Sequence, residues 1–208
     1  MHVPLTHLSN GLADVKLDLK YCQTFFYMDF ISDCQFTPSP FYDERPENDA
    51  VSLLVIHNIS LPAGQYGTGD IKKLFTGTID CQSHPSYHDL AGVKVSAHCV
   101  IYRSGEVEQF VPLTKRAWHA GLSVFQGRSR CNDYAIGIEM EGCDTEPFTN
   151  AQYQSLIRVT QQIIDSFPLI TQGRIIGHSD IAFGRKTDPG EFFDWCRFRQ
   201  ALSFTNGK

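Results

Sequence analysis

One stretch of this chain, residues 175–190, reads IIGHSDIAFGRKTDPG and brings His178, Lys186 and Asp188 into a short run. Ile175 and Ile176 read as the end of a buried strand. Gly177, Gly184, Pro189 and Gly190 then argue against a regular element over residues 177–190. A strand that ends by presenting a His, and a loop that returns an Asp, supply half of a metal site. Imidazole nitrogen and carboxylate oxygen together suit zinc, at about 2.0–2.2 Å from the ion. Taken alone, the same residues also read as a hydrogen-bonded histidine at a strand end and an Asp that shapes the turn before Pro189. A third ligand, a base and a substrate groove have to come from elsewhere in the chain.

The third ligand is sought in SLLVIH, residues 52–57, a continuous apolar run that fits a strand buried on both faces and closes in His57 and Asn58. If the two strands are neighbours, His57 and His178 meet at one sheet edge and Asp188 reaches them from its loop. Three protein ligands with a fourth position left for water is the catalytic zinc arrangement, whereas structural sites close with four. A base is offered by AIGIEMEG, residues 135–142, where Ile136, Ile138 and Met140 alternate with Gly137, Glu139 and Glu141. Glu139 is the candidate, because partial desolvation would raise its pKa towards the working range. Glu141 faces the same side and is its rival. Lys186 is placed to stabilise negative charge on an attacked carbonyl oxygen. Plainer readings stand beside each: a core or edge histidine, solvated strand carboxylates, a surface lysine. Cys99 beside His98, with Asn132 or Asp133, suggests a thiol hydrolase, but adjacent strand residues point to opposite faces. Glu139 and Glu141 as a glycosidase pair would leave His57, His178, Lys186 and Asp188 unexplained.

The elements that must hold these groups are read from patterning. Residues 37–48, TPSPFYDERPEN, are extended and turn-rich. Asp70 is a candidate N-cap of a short helix over residues 70–74, and residues 76–93, with His84 and His88, read as loop. Residues 96–103 and 106–111 form a hairpin around Ser104-Gly105. Residues 149–167 are the best helix: Thr149 and Gln152 fit a capping box, and Leu156, Val159, Thr160, Ile163 and Phe167 recur at helical spacing before Pro168. Residues 193–202 are expected to form a terminal helix. Together these predict an α/β (α+β) single domain, a central mixed β-sheet flanked by helices.

At 208 residues, 42% hydrophobic and 20% charged, the chain suits one globular domain with a full core. Its net charge of −5, without Lys/Arg runs, speaks against nucleic acid or anionic membrane as partner. No apolar run approaches the roughly 20 residues of a membrane helix. The seven cysteines are odd in number and form no CxxC pair; with no basic start and apolar core at the N-terminus, they are expected to be reduced thiols in a cytoplasmic protein. Residues 1–27 are expected to be an extension with little packed structure, ahead of a functional domain over 28–208.

The runs LLVIHNISLPAGQYG, LFTGTID, VSAHCVIYRSGEVEQFVP, KRAWHAGLSVFQGRSRCND, IGIEMEG and GHSDIAFGRKTDPG occur in this order, within residues 38–202. With them the chain resembles the cytoplasmic N-acetylmuramoyl-L-alanine amidases, and within these the ones that act on 1,6-anhydro-muropeptides during cell-wall recycling. That family is related to phage amidase lysozymes and to animal peptidoglycan-recognition proteins. The resemblance implies one Zn2+ ion held by His57, His178 and Asp188, Glu139 as base and Lys186 as the transition-state cation. It implies a small muropeptide substrate, cut by a metal-activated water at the amide between the muramic acid lactyl group and L-alanine. It also points to Asn58, Trp118 and Arg130 in the substrate groove. Lys94 stands where relatives carry Arg, keeping the charge without the bidentate fork. A peptidoglycan-binding module without turnover is the alternative, and an exported or phage-type amidase a third reading.

Overall fold

The apolar runs assemble into a six-stranded mixed sheet. Its spatial order is β1 (Gln35–Phe36), β5 (Val107–Gln109), β4 (Cys99–Ile101), β9 (Ala135–Glu141), β3 (Leu53–Ile59), β10 (Ile175–Gly177). The structure, a computed structural model, describes residues 29–204; the extension expected over residues 1–27 lies outside them. All neighbouring pairs in the sheet are parallel except β4 and β5, which form the expected hairpin. Gly105 turns that hairpin at φ 87°, a conformation open to a residue without Cβ. Two small ribbons, β2 (Tyr42–Asp43) with β6 (Arg116–Ala117) and β7 (Val124–Phe125) with β8 (Arg128–Ser129), lie outside the sheet. No helix among the described residues is long and apolar enough to cross a membrane.

Strand alternation sorts the two faces of the sheet. Leu54 and Ile56 of β3 and Ile136, Ile138 and Met140 of β9 share one core with Leu156, Val159 and Ile163 of the long helix α2 (Asn150–Ser166). Burying each such side chain contributes about 1.5–3 kcal/mol. The helix starts where the capping box places it: Gln152 N donates to Thr149 Oγ1 at 3.1 Å, and Thr149 N to Gln152 Oε1 at 3.0 Å. The Gln152 amide also donates to the carbonyls of Ile101 and Glu141, pinning the helix to the ends of β4 and β9.

The opposite face, carrying Leu53, Val55, His57, Gly137 and Glu139, is covered in part by residues 113–134. Arg45 holds that cover in place. Its buried guanidinium donates to the carbonyls of Leu113, Thr114, Asn132, Asp133 and Ala135. Burial pushes its pKa down to about 10, so it stays charged at neutral pH.

Several local expectations need correction. Asp70 opens the helix α1 (Asp70–Phe75) rather than capping it; Gly69 is the N-cap, and the Asp70 carboxylate accepts from Lys73 and Tyr87 instead. Residues 85–90 form a 3-10 helix inside the expected loop. β3 continues past His57 to Ile59. His178–Ile181 forms one helical turn, α3, where the Gly/Pro content argued for irregular chain. The Asp180 carboxylate accepts from Gly177 N at 2.8 Å and closes that turn before the next glycine is reached. The terminal helix expected over 193–202 is shorter, α4 (Trp195–Gln200), with Asp194 as its N-cap, whose carboxylate accepts from Arg197 N.

Candidate metal centre and active site

Strand register decides which side chains meet. β3 pairs with β9 so that His57 stands opposite Glu139, and β10 pairs with β3 so that Gly177 stands opposite Ile56. His178 therefore comes one step later, level with His57. Neighbouring strands lie about 4.8 Å apart, so three chemically competent residues sit side by side near the C-terminal ends of parallel strands. Asp188 returns from the loop after α3. The loop closes tightly: a Cβ on Gly190 would lie 2.4 Å from the Asp144 Cα, so glycine is required there.

His57 Nδ1 lies 3.0 Å from His178 Nδ1, and both lie 3.1 Å from Asp188 Oδ2. All three residues are buried. The outer ring nitrogens are taken: His178 Nε2 faces the Ala120 carbonyl at 3.2 Å, and His57 Nε2 faces His119 Nδ1 at 2.9 Å. A carbonyl only accepts, so His178 Nε2 carries a proton, and Nδ1 is the ring nitrogen turned towards His57 and Asp188. Burial lowers the His57 pKa to about 4, against the opposing pull of Asp188, so this ring is neutral at pH 7. Burial raises the Asp188 carboxyl, but the His178 and His57 rings outweigh it and hold the group well below its usual range, ionised. Two imidazole nitrogens and a carboxylate oxygen, mutually 3.0–3.1 Å apart, form a group that could hold a metal ion to one side of their plane. Tetrahedral ligands about 2.0–2.1 Å from zinc lie about 3.3–3.4 Å apart, close to the distances found here.

The two strand carboxylates differ sharply. Glu139 is buried and its Oε2 has no partner among the described residues. Burial and then the Asp188 charge push its pKa well above the carboxylate range, with Lys186 pulling the other way. Glu141 is also buried but satisfied at both oxygens, accepting from Gly67 N at 2.7 Å and Arg103 N at 2.9 Å. Glu141 therefore ties two loops together, whereas Glu139 keeps an unpaired oxygen. The Cys99 thiol lies in the core under α2, its pKa raised by burial, while His98 Nδ1 accepts from Gly137 N on the other face; a thiol nucleophile is excluded.

A cavity of about 200 Å³ opens onto the triad and Glu139, with Phe75, Val95 and Trp118 as an apolar wall and Lys186 and Asn58 at its polar side. Lys186 is exposed. Trp118 is held by stacking on Phe41 and by its Nε1 donating to Asp43 at 3.2 Å. Asn58 Nδ2 donates to Asp144 Oδ1 at 2.7 Å, and Thr187, between Lys186 and Asp188, donates to the same carboxylate. The structure does not bring Arg130 or Lys94 to this cavity. Arg130 lines a separate groove of about 520 Å³ with Phe183 and Arg185, and its Nε pairs with Asp133 Oδ2 at 2.9 Å. Lys94 is exposed on the loop before Val95. Sequence reasoning passed over His119 and Asp144. Their adjacency to Trp118 and to the end of the AIGIEMEG strand was the available signal.

A family model described as N-acetylmuramoyl-L-alanine amidase matches residues 47–191, which contain the whole triad, Glu139 and Lys186. The 1,6-anhydro-N-acetylmuramyl-L-alanine amidase AmpD of Escherichia coli (strain K12) is 57% identical over 166 residues, covering 80% of this chain and 90% of that protein. A crystal structure of a selenomethionine AmpD derivative superposes with a TM-score of 0.81 at 53% identity, covering 84% of this chain and 97% of that one. The complex of the E. coli amidase AmiD with its substrate anhydro-N-acetylmuramic acid-L-Ala-D-gamma-Glu-L-Lys matches with a TM-score of 0.55 at 29% identity, over 76% of this chain and 60% of that one. Family model, sequence identity and fold agree over the same part of the chain, and the chain belongs to the N-acetylmuramoyl-L-alanine amidase family.

Proposed function

We propose that this protein uses one zinc ion, held by His57, His178 and Asp188, to hydrolyse the amide between (1,6-anhydro)-N-acetylmuramic acid and L-alanine of small muropeptides, freeing the stem peptide. The observation that carries this reading is the 3.0–3.1 Å triangle of ligand atoms beside a buried carboxylate with an unpaired oxygen. The chemistry zinc supplies when bound is Lewis acidity, which makes water acidic near neutral pH and polarises a carbonyl. Glu139 takes a proton from the attacking water and returns it to the departing alanine nitrogen, a role its unpaired oxygen beside the triad suits. Lys186 lies on the open side, where its charge offsets the negative oxygen formed from the carbonyl. Trp118 offers an apolar face to sugar or peptide, and Asn58, held by Asp144, offers a polar one. Arg130 and Lys94 lie outside the cavity, so Trp118 and Asn58 carry the proposed substrate contacts. All six cysteines among the described residues are free thiols, in keeping with a cytoplasmic recycling enzyme.

A binding module without turnover has no use for a buried carboxylate kept open beside the triad, and so accounts for less of the site. Purified protein should release stem peptide from anhydro-muropeptide, lose that activity to a chelator and regain it with one equivalent of zinc. Tight muropeptide binding with no release, whatever metal is added, would favour the binding module instead.

A further inference from the structure

The zinc reading requires His57 to present a bare Nδ1, and the triad alone does not enforce that tautomer. His178 is oriented by the Ala120 carbonyl. For His57 the partner at Nε2 among the described residues is another histidine, His119, whose Nδ1 lies 2.9 Å away with the two rings 83° apart. We propose that His119 is a positioning residue of the metal centre: its Nδ1 accepts the proton of His57 Nε2 and so turns the bare Nδ1 of His57 towards the ion. This inference rests on the zinc reading above.

Three features of the surroundings support a built arrangement. First, β9 makes room for the ring. A Cβ on Gly137 would come within 2.5 Å of His119 Cγ, so the strand carries glycine where the imidazole must lie. Second, the backbone that carries the ring is fixed, because His119 N and Ala120 N both donate to Asn132 Oδ1, at 3.2 and 2.8 Å. Residues 119 and 120 thus orient both imidazole ligands, one through a side chain and the other through a carbonyl. Third, His119 Nε2 is buried with no partner among the described residues, so the hydrogen bond that fixes the ring is the one to His57. Groups behind a metal-bound histidine set its tautomer and ring angle, and their loss typically weakens metal binding 10–100-fold.

Zinc affinity, measured on metal-stripped protein by competition with a chromophoric chelator, separates positioning from space filling. His119→Phe keeps the volume and removes the acceptor, whereas His119→Asn places an amide oxygen near the Nδ1 position. We expect about 10–100-fold weaker zinc binding for the Phe variant and recovery to within a few-fold for Asn. The visible absorption of the cobalt-substituted protein should change for Phe and stay close to the parent for Asn. Parent-like affinity of the Phe variant, or equal weakening in both variants with the fold intact, would overturn the proposal. If the Phe variant fails to fold, Gly137→Ala, which displaces the ring without removing a ligand, must weaken zinc binding, and parent-like affinity overturns the proposal there too. A parent protein that takes up no zinc would instead overturn the zinc reading itself, and this inference with it.

Discussion

Exchanging Glu139 for Gln removes one buried ionisable carboxyl and keeps the side chain's shape, so activity and stability should move in opposite directions. General acid–base catalysis by a positioned group contributes about 10²–10⁴-fold, or about 3–5 kcal/mol of barrier, and the variant's kcat should fall by that factor with little change in KM. The stability effect comes from the raised pKa of Glu139, which burial and then Asp188 impose. The folded state keeps this proton at pH values where the unfolded chain, with a carboxyl near 4.3, has released it. Wild-type stability therefore falls as pH rises from about 4.3 to the folded pKa, by up to about 1.4 kcal/mol per pH unit, and is level above it. The Gln variant has no such loss. Below about pH 4 the two proteins should be equally stable, and the variant should gain an advantage that grows with pH. Urea unfolding of the metal-free proteins between pH 4 and 8 reads this directly, since a bound cation would itself lower the Glu139 pKa. Peptide release followed by chromatography reads kcat. A variant that keeps more than about a tenth of the parent kcat, or a stability difference that is flat or reversed across this range, would refute the reasoning.

Glu141→Ala should do the converse: it strands the Gly67 and Arg103 amides and should cost about 2–4 kcal/mol in chemical denaturation, while zinc affinity of the folded fraction is retained. Thr149→Ala removes the acceptor of the capping box and should cost about 1 kcal/mol, read as a lower melting temperature with unchanged kcat.

Local physics was legible in the chain. The capping box and the helical spacing of Leu156, Val159 and Ile163 set α2, because hydrogen bonds between neighbours in sequence and one apolar stripe suffice for it. Alternation in residues 135–141 separated Ile136, Ile138 and Met140 from Gly137, Glu139 and Glu141, and the structure sends these sets to opposite faces. What the alternation left open was the fate of the polar face. Every residue of β9 is buried, and Glu139 differs from Glu141 through the amides that distant loops bring to the latter.

Residue types alone named His57, His178, Asp188 and Glu139 as candidates, because few side chains can ligate a divalent cation or move a proton near neutral pH. Their meeting depends on β3 lying between β9 and β10 in parallel register, pairings across 82 and 121 residues that no local pattern encodes. The same long-range packing put Arg130 in a separate groove, left Lys94 exposed outside the cavity and set His119 behind His57. Sequence thus determined which groups could do chemistry and which segments were regular. Distances, open lone pairs and burial came from strand order and from the cover tied down by Arg45, since these depend on where separate segments of chain come to rest against each other.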